Sequence, residues 1–234
     1  MSPSGNIVAA DVLNHRLVSI DSKSGAVQQN FGYGRFGGLM NGVAISEQGD
    51  IFASDALNGR IIVFSSTGTY RKIICSNSDD IDKMASPYGL TVAGDKVYIV
   101  GNRDGCVFVF STSGHFESIF GDFRKPADIT VSPHGLLYVS DSSNECVQVF
   151  RLNGKRVRKF QVNGQPAVIA VTPDNYVVLS YWNRSNITIH TADGELVRSF
   201  KPDRTVDTSS SAYDLAVDKH GLIYVTVVDD ILVF

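Results

Sequence analysis

Short apolar runs return along the chain about every 40 residues: Leu17-Val18-Ser19-Ile20, Ile61-Ile62-Val63-Phe64, Val107-Phe108-Val109-Phe110, Val147-Gln148-Val149-Phe150, Ile187-Thr188-Ile189-His190 and Ile231-Leu232-Val233-Phe234. Each run is the third strand, c, of a repeated unit. Strand a comes first and is rich in small and β-branched residues, as in Asn41-Gly42-Val43-Ala44-Ile45, Ala127-Asp128-Ile129-Thr130-Val131 and Ala167-Val168-Ile169-Ala170-Val171. A tight turn such as Ser132-Pro133-His134-Gly135 supplies the residue for positive φ and leads to strand b, for example Leu137-Tyr138-Val139-Ser140. A loop then enters strand c, and a Gly-centred turn (Thr67-Gly68, Ser113-Gly114, Asn153-Gly154, Asp193-Gly194) enters strand d. Strand d is the most polar: Lys155-Arg156-Val157-Arg158-Lys159-Phe160 alternates charge with apolar residues, as an exposed outer edge should.

Copies of one strand-and-turn unit at this period predict an all-β, six-bladed β-propeller. One four-stranded sheet cannot cover its own two faces and must press each against a neighbouring copy. A single domain over residues 1–234 is expected, with units near 1–35, 36–83, 84–124, 125–164, 165–209 and 210–234. The count is six b, six c, five a and five d strands, because the first unit lacks a and the last lacks d. The first and last blades are therefore expected to be incomplete.

The stretch between b and c carries a family resemblance. Asp11-Val12-Leu13-Asn14-His15-Arg16-Leu17-Val18 and Asp55-Ala56-Leu57-Asn58-Gly59-Arg60-Ile61-Ile62 resemble the NHL repeat, whose pattern runs Gly-x-Ile-Tyr-Val-Ser-Asp, then Asn-x-Arg-Val-x-Val-Phe. The fourth unit, Gly135 to Asp141 and Asn144 to Phe150, keeps all of it but the Arg. Departures occur at Gly101, Tyr181 and Val227 for the Asp, and at Cys106, Cys146 and Asn186 for the Arg. Each Asp-Arg pair reads as a clamp on its loop rather than as catalytic machinery. The chain is similar to the propeller that ends tripartite-motif (TRIM-NHL) ubiquitin ligases. That resemblance implies a protein- or RNA-recognition module, with ligase chemistry in a separate RING domain. It also implies that an upstream segment of about 15 residues closes the ring. NHL repeats occur equally in bacterial sensor and extracellular proteins, and six-bladed propellers include lyases and hydrolases with a channel metal.

Composition narrows these readings. A net charge of −3 rules out a global basic field, so any nucleic-acid binding must be local. The three cysteines, Cys75, Cys106 and Cys146, form no close pair and fit a reducing, cytoplasmic setting, although Asn183-Arg184-Ser185 and Asn186-Ile187-Thr188 match the glycosylation pattern. No apolar run reaches the roughly 20 residues of a membrane helix. No membrane partner is expected.

Catalysis finds little support in the residues. His15, His115, His134, His190 and His220 scatter without metal-pair spacing, and strand a offers only Asp128 and Asp214 as carboxylates, two blades apart. No nucleophile elbow and no phosphate-cradling loop appear; Gly32-Tyr33-Gly34-Arg35-Phe36-Gly37-Gly38 lacks a following helix. The chain is thus expected to be no enzyme, to take no cofactor, metal or small-molecule substrate, and to bind a protein or single-stranded RNA. Three loops place aromatics beside cations: Tyr33, Arg35 and Phe36; Phe123, Arg124 and Lys125; Tyr181, Trp182, Asn183 and Arg184. Such groups suit base stacking or protein anchoring. Trp182 reads either as a contact residue or as a plug between blades. The loop face is mixed in charge, with an acidic stretch from Asp79 to Asp82 and a basic outer edge at Lys155, Arg156, Arg158 and Lys159.

Overall fold

The computed structural model describes residues 5–36, 40–75, 84–202, 214–227 and 230–234. The acidic stretch Asp79 to Asp82 and Gly37 and Gly38 of the glycine-rich connector lie outside the described residues. The chain divides into two compact units, Met1–Ile119 and Phe120–Phe234. In the first, β1 (Asn6–Asp11), β2 (Arg16–Asp21) and β3 (Val27–Phe31) form one sheet. β4 (Val43–Ile45), β5 (Ile51–Asp55), β6 (Arg60–Phe64) and β7 (Tyr70–Ile74) form the next, followed by β8 (Pro87–Ala93), β9 (Lys96–Gly101), β10 (Cys106–Ser111) and β11 (Phe116–Phe120). The second unit holds β12 (Pro126–Val131), β13 (Leu136–Asp141), β14 (Cys146–Arg151) and β15 (Arg156–Gln161), then β16 (Pro166–Val171), β17 (Val177–Tyr181), β18 (Arg184–His190) and β19 (Leu196–Phe200). Its last sheet is β20 (Asp214–Val217), β21 (Ile223–Val227) and β22 (Asp230–Val233).

Every strand pairs antiparallel with its neighbour in sequence, so these are the six blades of an all-β, six-bladed β-propeller. Among the described residues the only helical turns are 3-10 turns at Val12–Asn14 and Ser142–Asn144. The first and last blades carry three strands each among the described residues, matching b-c-d and a-b-c.

Burial follows the alternation of each strand. One face of the second blade packs Phe52, Ile61 and Val63 against Val97, Ile99 and Phe108 of the third. Its other face presents Ile51, Ala53, Ile62 and Phe64 to Leu17 and Phe31 of the first. In the second unit Tyr138, Val147 and Val149 meet Ile169, Val177 and Leu179, while Val178 and Ile187 on the reverse side meet Leu215, Ile223 and Val225. Burying each such Val, Leu, Ile or Phe contributes about 1.5–3 kcal/mol. A lone blade therefore loses two faces of burial.

In the second, fourth and fifth blades a serine at the end of strand b fastens the blade to its own first strand. Ser54 Oγ accepts the N–H groups of Asn41 and Gly42, Ser140 Oγ accepts that of Asp128, and Ser180 Oγ that of Val168. In the fourth and fifth blades this happens beside a register shift, between Pro126 and Ile129 and between Pro166 and Ile169. The hydroxyl satisfies backbone donors that the bulge takes out of the ladder.

The fifth blade departs from the repeat where strand c ends. Four other blades place Phe there; this one places His190, 5% exposed. Tyr181 O–H, Thr188 Oγ1 and His190 Nε2 form a chain at 2.8 and 2.9 Å, and His190 Nδ1 faces the Gly194 carbonyl at 3.2 Å. The carbonyl fixes the proton on Nδ1, so Nε2 accepts from Thr188, which accepts from Tyr181. A second ring proton would reverse that order and orphan a buried phenol. Burial accordingly holds His190 below its usual pKa, outweighing the carbonyl contact that raises it. The folded state resists the proton that the unfolded chain takes up, so stability from this group is full above pH 6.5 and falls as the pH drops below it. His190→Phe, which restores the residue of the other blades, is expected to raise the melting temperature more at pH 5 than at pH 8. Thermal melts followed by circular dichroism at the two pH values check this, and equal gains would remove the titration argument.

Candidate functional site

In the second unit, the connector before β12 and the two loops that follow strand b in its first two blades are tied together. Asp141, fully buried at the end of β13, receives the N–H groups of Arg124 and Lys125 at 3.1–3.4 Å, Asn144 Nδ2 at 2.7 Å and Gln148 Nε2 at 3.1 Å. The position that holds Arg in the first two blades is Cys146 here, a buried thiol pushed up to about 11 mainly by desolvation. A neutral thiol cannot balance Asp141, so backbone and amide donors do so. The consequence is positional: the main chain of Arg124 and Lys125 is fixed while both side chains stay exposed.

Ser142 extends the frame. Its N–H donates to the Lys125 carbonyl at 3.0 Å, and its hydroxyl donates to the Pro166 carbonyl at 2.6 Å while accepting from Trp182 Nε1 at 3.2 Å. Trp182 and Asn183 are the two loop residues of a hairpin closed by the Tyr181 and Arg184 pair. The Trp182 N–H also donates to the Gln165 carbonyl at 3.1 Å, yet the side chain remains 43% exposed. Trp182 is thus both a tie between two blades and a surface residue. Tyr181 is 1% exposed, its phenol pushed up by burial, and Arg184 lies over its ring with the guanidinium carbon 4.1 Å from the centroid. Phe123 packs inside against Phe150.

The loops of the first unit are spent differently. Asp55, fully buried, binds Arg60 Nε and Asn58 Nδ2 at 2.9 Å each, and Arg60 Nη2 donates to the Arg35 carbonyl at 2.8 Å. Asp11 repeats the clamp with Arg16 at 2.7 Å and Asn14 at 2.9 Å. Burial alone would raise the Asp11 carboxyl, but those two donors hold it below its ordinary value. These are loop clamps, as the residue pattern implied. The Arg35 guanidinium lies 4.2 Å from the Tyr70 centroid, and Phe36 is buried against Phe64. Tyr33 stays 58% exposed, its hydroxyl bonded to Arg16. Sequence reasoning missed Ser142, which occupies a position with no motif signal; Asp141 was signalled by its Asp and Asn spacing.

Two first-strand carboxylates of the second unit also stand out. Asp128 Oδ2 accepts the Ile169 N–H from the next blade at 3.0 Å. Burial raises Asp128 to about 7, with the Asp214 charge adding to the shift; desolvation raises Asp214 to about 6, against the lowering by the Leu215 N–H. Two strands separated by a blade thus bring their carboxylates within electrostatic reach. Among the described residues no three His, Cys, Asp or Glu side chains gather in a group that could hold a metal ion.

Residues 123–150, which are the connector and first strands of the fourth blade, match the NHL repeat. No curated protein matches the chain in sequence. Among solved structures, streptogramin B lyase is similar with 16% identity and a TM-score of 0.76, covering 100% of this chain and 79% of that one. A catalytically inactive virginiamycin B lyase of Staphylococcus aureus with quinupristin has 14% identity and a TM-score of 0.74, covering 100% and 81%. Hydrazine synthase of Kuenenia stuttgartiensis has 17% identity and a TM-score of 0.74, covering 97% and 72%. At these identities the likeness is one of fold. It overturns the expectation that the chain is no enzyme: lyases are built on the same propeller, so neither the blades nor the scattering of histidines argues against catalysis. Chemistry on such scaffolds lives in the variable loops, which repeat counting does not read. The comparisons show the NHL repeat over residues 123–150 and the propeller fold.

Asp128 generates a stability prediction. Its folded pKa lies above the unfolded value of 3.8, so its favourable contribution is complete below pH 3.8 and is lost as the pH rises toward about 7. Asp128→Asn keeps an acceptor for Ile169 and removes the buried charge. It is expected to be neutral at pH 4 and to stabilise by roughly 2 kcal/mol at pH 8, after allowance for partial exposure. Denaturant titrations at both pH values measure the difference, and equal effects would contradict the assignment.

Proposed function

We propose that the chain is a protein-recognition module, with its contact surface on the second unit at Trp182, Asn183, Arg124 and Lys125. The observation that carries this reading is Trp182: an indole held at its N–H by Ser142, with its backbone held by Gln165, and with its ring 43% exposed. A rigid, half-exposed aromatic flanked by cations is the make-up of an interface anchor, because little side-chain entropy remains to be lost on binding. An NHL propeller serving as a binding scaffold is consistent with it.

A single-stranded RNA would draw on several free aromatic faces. Phe36, Phe123 and Tyr181 are buried, and Arg35 and Arg184 lie on tyrosine rings, which leaves that reading with few platforms. The tripartite-motif resemblance supplies a cellular context, a recognition domain carried by a ubiquitin ligase, and rests on the Asp-to-Phe motif of the loops alone.

Peptide-display selection on the whole chain is expected to return ligands whose affinity falls about 30-fold with Trp182→Ala, the scale of a hot-spot truncation. A random single-stranded RNA pool titrated at two salt concentrations is expected to show no steeply salt-dependent binding. Unchanged peptide affinity in the variant would remove the surface, and tight RNA binding that collapses with salt would replace the reading with the nucleic-acid one.

A further inference from the structure

Resting on that reading, one feature beside Trp182 specifies the partner's chemistry. Arg184 opens β18, directly after the Trp182 hairpin. One face of its guanidinium rests on Tyr181; another side lies against Gly164, where φ is +115° and an added Cβ would stand 2.1 Å from Nη2 and 2.7 Å from Cζ. Glycine at this position is a requirement, since any side chain would evict the guanidinium. The group is therefore clamped in one plane by an aromatic ring and a bare stretch of backbone. Yet within the described residues it makes no hydrogen bond and no ion pair, and Nη2 is buried without an acceptor. The arginines at the matching b-to-c position of the first two blades each have one: Arg16 binds Asp11 and Arg60 binds Asp55. The fifth blade has Tyr181 where those blades have the Asp.

A planar cation fixed in place with its donors unmet costs free energy unless an acceptor arrives. We infer that Arg184 is the docking point for a carboxylate of the partner, a Glu or Asp side chain or a chain terminus, that takes the place of the aspartate missing from this blade. With Nη2 enclosed against Gly164, the carboxylate meets the donors of the guanidinium that are not enclosed, in a charge-assisted hydrogen bond. Stacking on Tyr181 leaves the edge of the group, rather than its face, for the ligand. Arg124 and Lys125, both exposed, add positive charge on the neighbouring connector and outnumber, with Arg184, its exposed acids Asp122 and Glu145. The proposed occupant is thus an acidic peptide whose carboxylate meets Arg184 while an apolar residue covers Trp182.

Trp182 is the sole tryptophan of the chain, so intrinsic fluorescence reports on this spot alone. The whole protein is titrated with glutarate, with inorganic phosphate and with chloride at matched ionic strength. Glutarate is expected to give a saturable change in Trp182 emission that chloride does not. Arg184→Met is expected to abolish it, and Arg184→Lys to weaken it about tenfold, because an ammonium does not lie flat on the Tyr181 ring and is not held in place by it. Circular dichroism melts confirm that the variants are folded, and the Lys variant serves alone if the Met variant is not. A response that survives both substitutions, or no response to glutarate, overturns the inference. A stronger response to phosphate than to glutarate overturns the peptide carboxylate in favour of a phosphate ligand. Display-selected peptides separate this from the broader reading: loss of binding in Trp182→Ala with full retention in Arg184→Met refutes the carboxylate dock and leaves the surface standing.

Discussion

Everything in this molecule depends on the thinness of a four-stranded sheet. A blade such as β4 to β7 has apolar residues on both faces, with Phe52 and Ile61 on one and Ile51 and Ile62 on the other, and neither set can be covered from within the blade. Covering by the next copy is the only solution the repeat permits, and it imposes the alternation seen along every b and c strand. It also fixes what is left over. Apart from a few apolar side chains such as Phe36 and Phe123, the connections between strands stand outside the face-to-face packing and must be held by other means.

Those other means are polar and local. The loop after strand b is held in three chemically different ways, two of them around a carboxylate at the end of the strand. Asp55 uses an arginine, whose far nitrogen reaches the connector carbonyl of Arg35. Asp141 uses the connector's own backbone N–H groups. The fifth blade abandons the carboxylate and builds a buried Tyr181, Thr188 and His190 chain instead. The solutions differ in what they leave over. The Asp55 clamp consumes its arginine. The Asp141 clamp leaves the side chains of Arg124 and Lys125 exposed, and the Tyr181 solution leaves Arg184 Nη2 without an acceptor among the described residues.

The strand order, the blade number and the three strands of the first and last blades among the described residues were legible because alternation and period are properties of the chain itself: β13 and β14 read directly from Leu137 to Ser140 and Val147 to Phe150. The Asp and Arg clamps were legible for the same reason, since Asp11 and Arg16 sit at fixed spacing. The loop aromatics were not. Phe36 and Phe123 read as surface residues because they lie in connectors, yet each turns inward onto the terminal Phe of a c strand, Phe64 or Phe150. A connector that crosses between two blades needs an apolar stopper as much as a strand does, and composition alone cannot tell a stopper from a contact. Ser142 was invisible because its role is defined by Trp182, 40 residues away. The interaction of Asp128 with Asp214 depends likewise on a blade lying between them. Catalysis was discounted from the scatter of histidines, an argument about spacing along the chain that a fold bringing distant loops together does not respect.

The blade that departs furthest from the repeat is also the one with unspent chemistry. Regular positions of a repeat are under a shared constraint, so a substitution there must either be compensated nearby or leave something unbalanced. His190 for Phe is compensated by Thr188 and Gly194. Cys146 for Arg is compensated by Gln148 and the connector backbone. Tyr181 for Asp is only half compensated: its hydroxyl finds Thr188, but the cation next to it finds only a ring and a glycine. The imbalance lies next to a half-exposed tryptophan, Trp182, whereas the loops of Asp11 and Asp55 close a blade with their charges paired. The geometry of the fifth blade gives the reason why the same propeller can be generic in its sheets and particular at one hairpin.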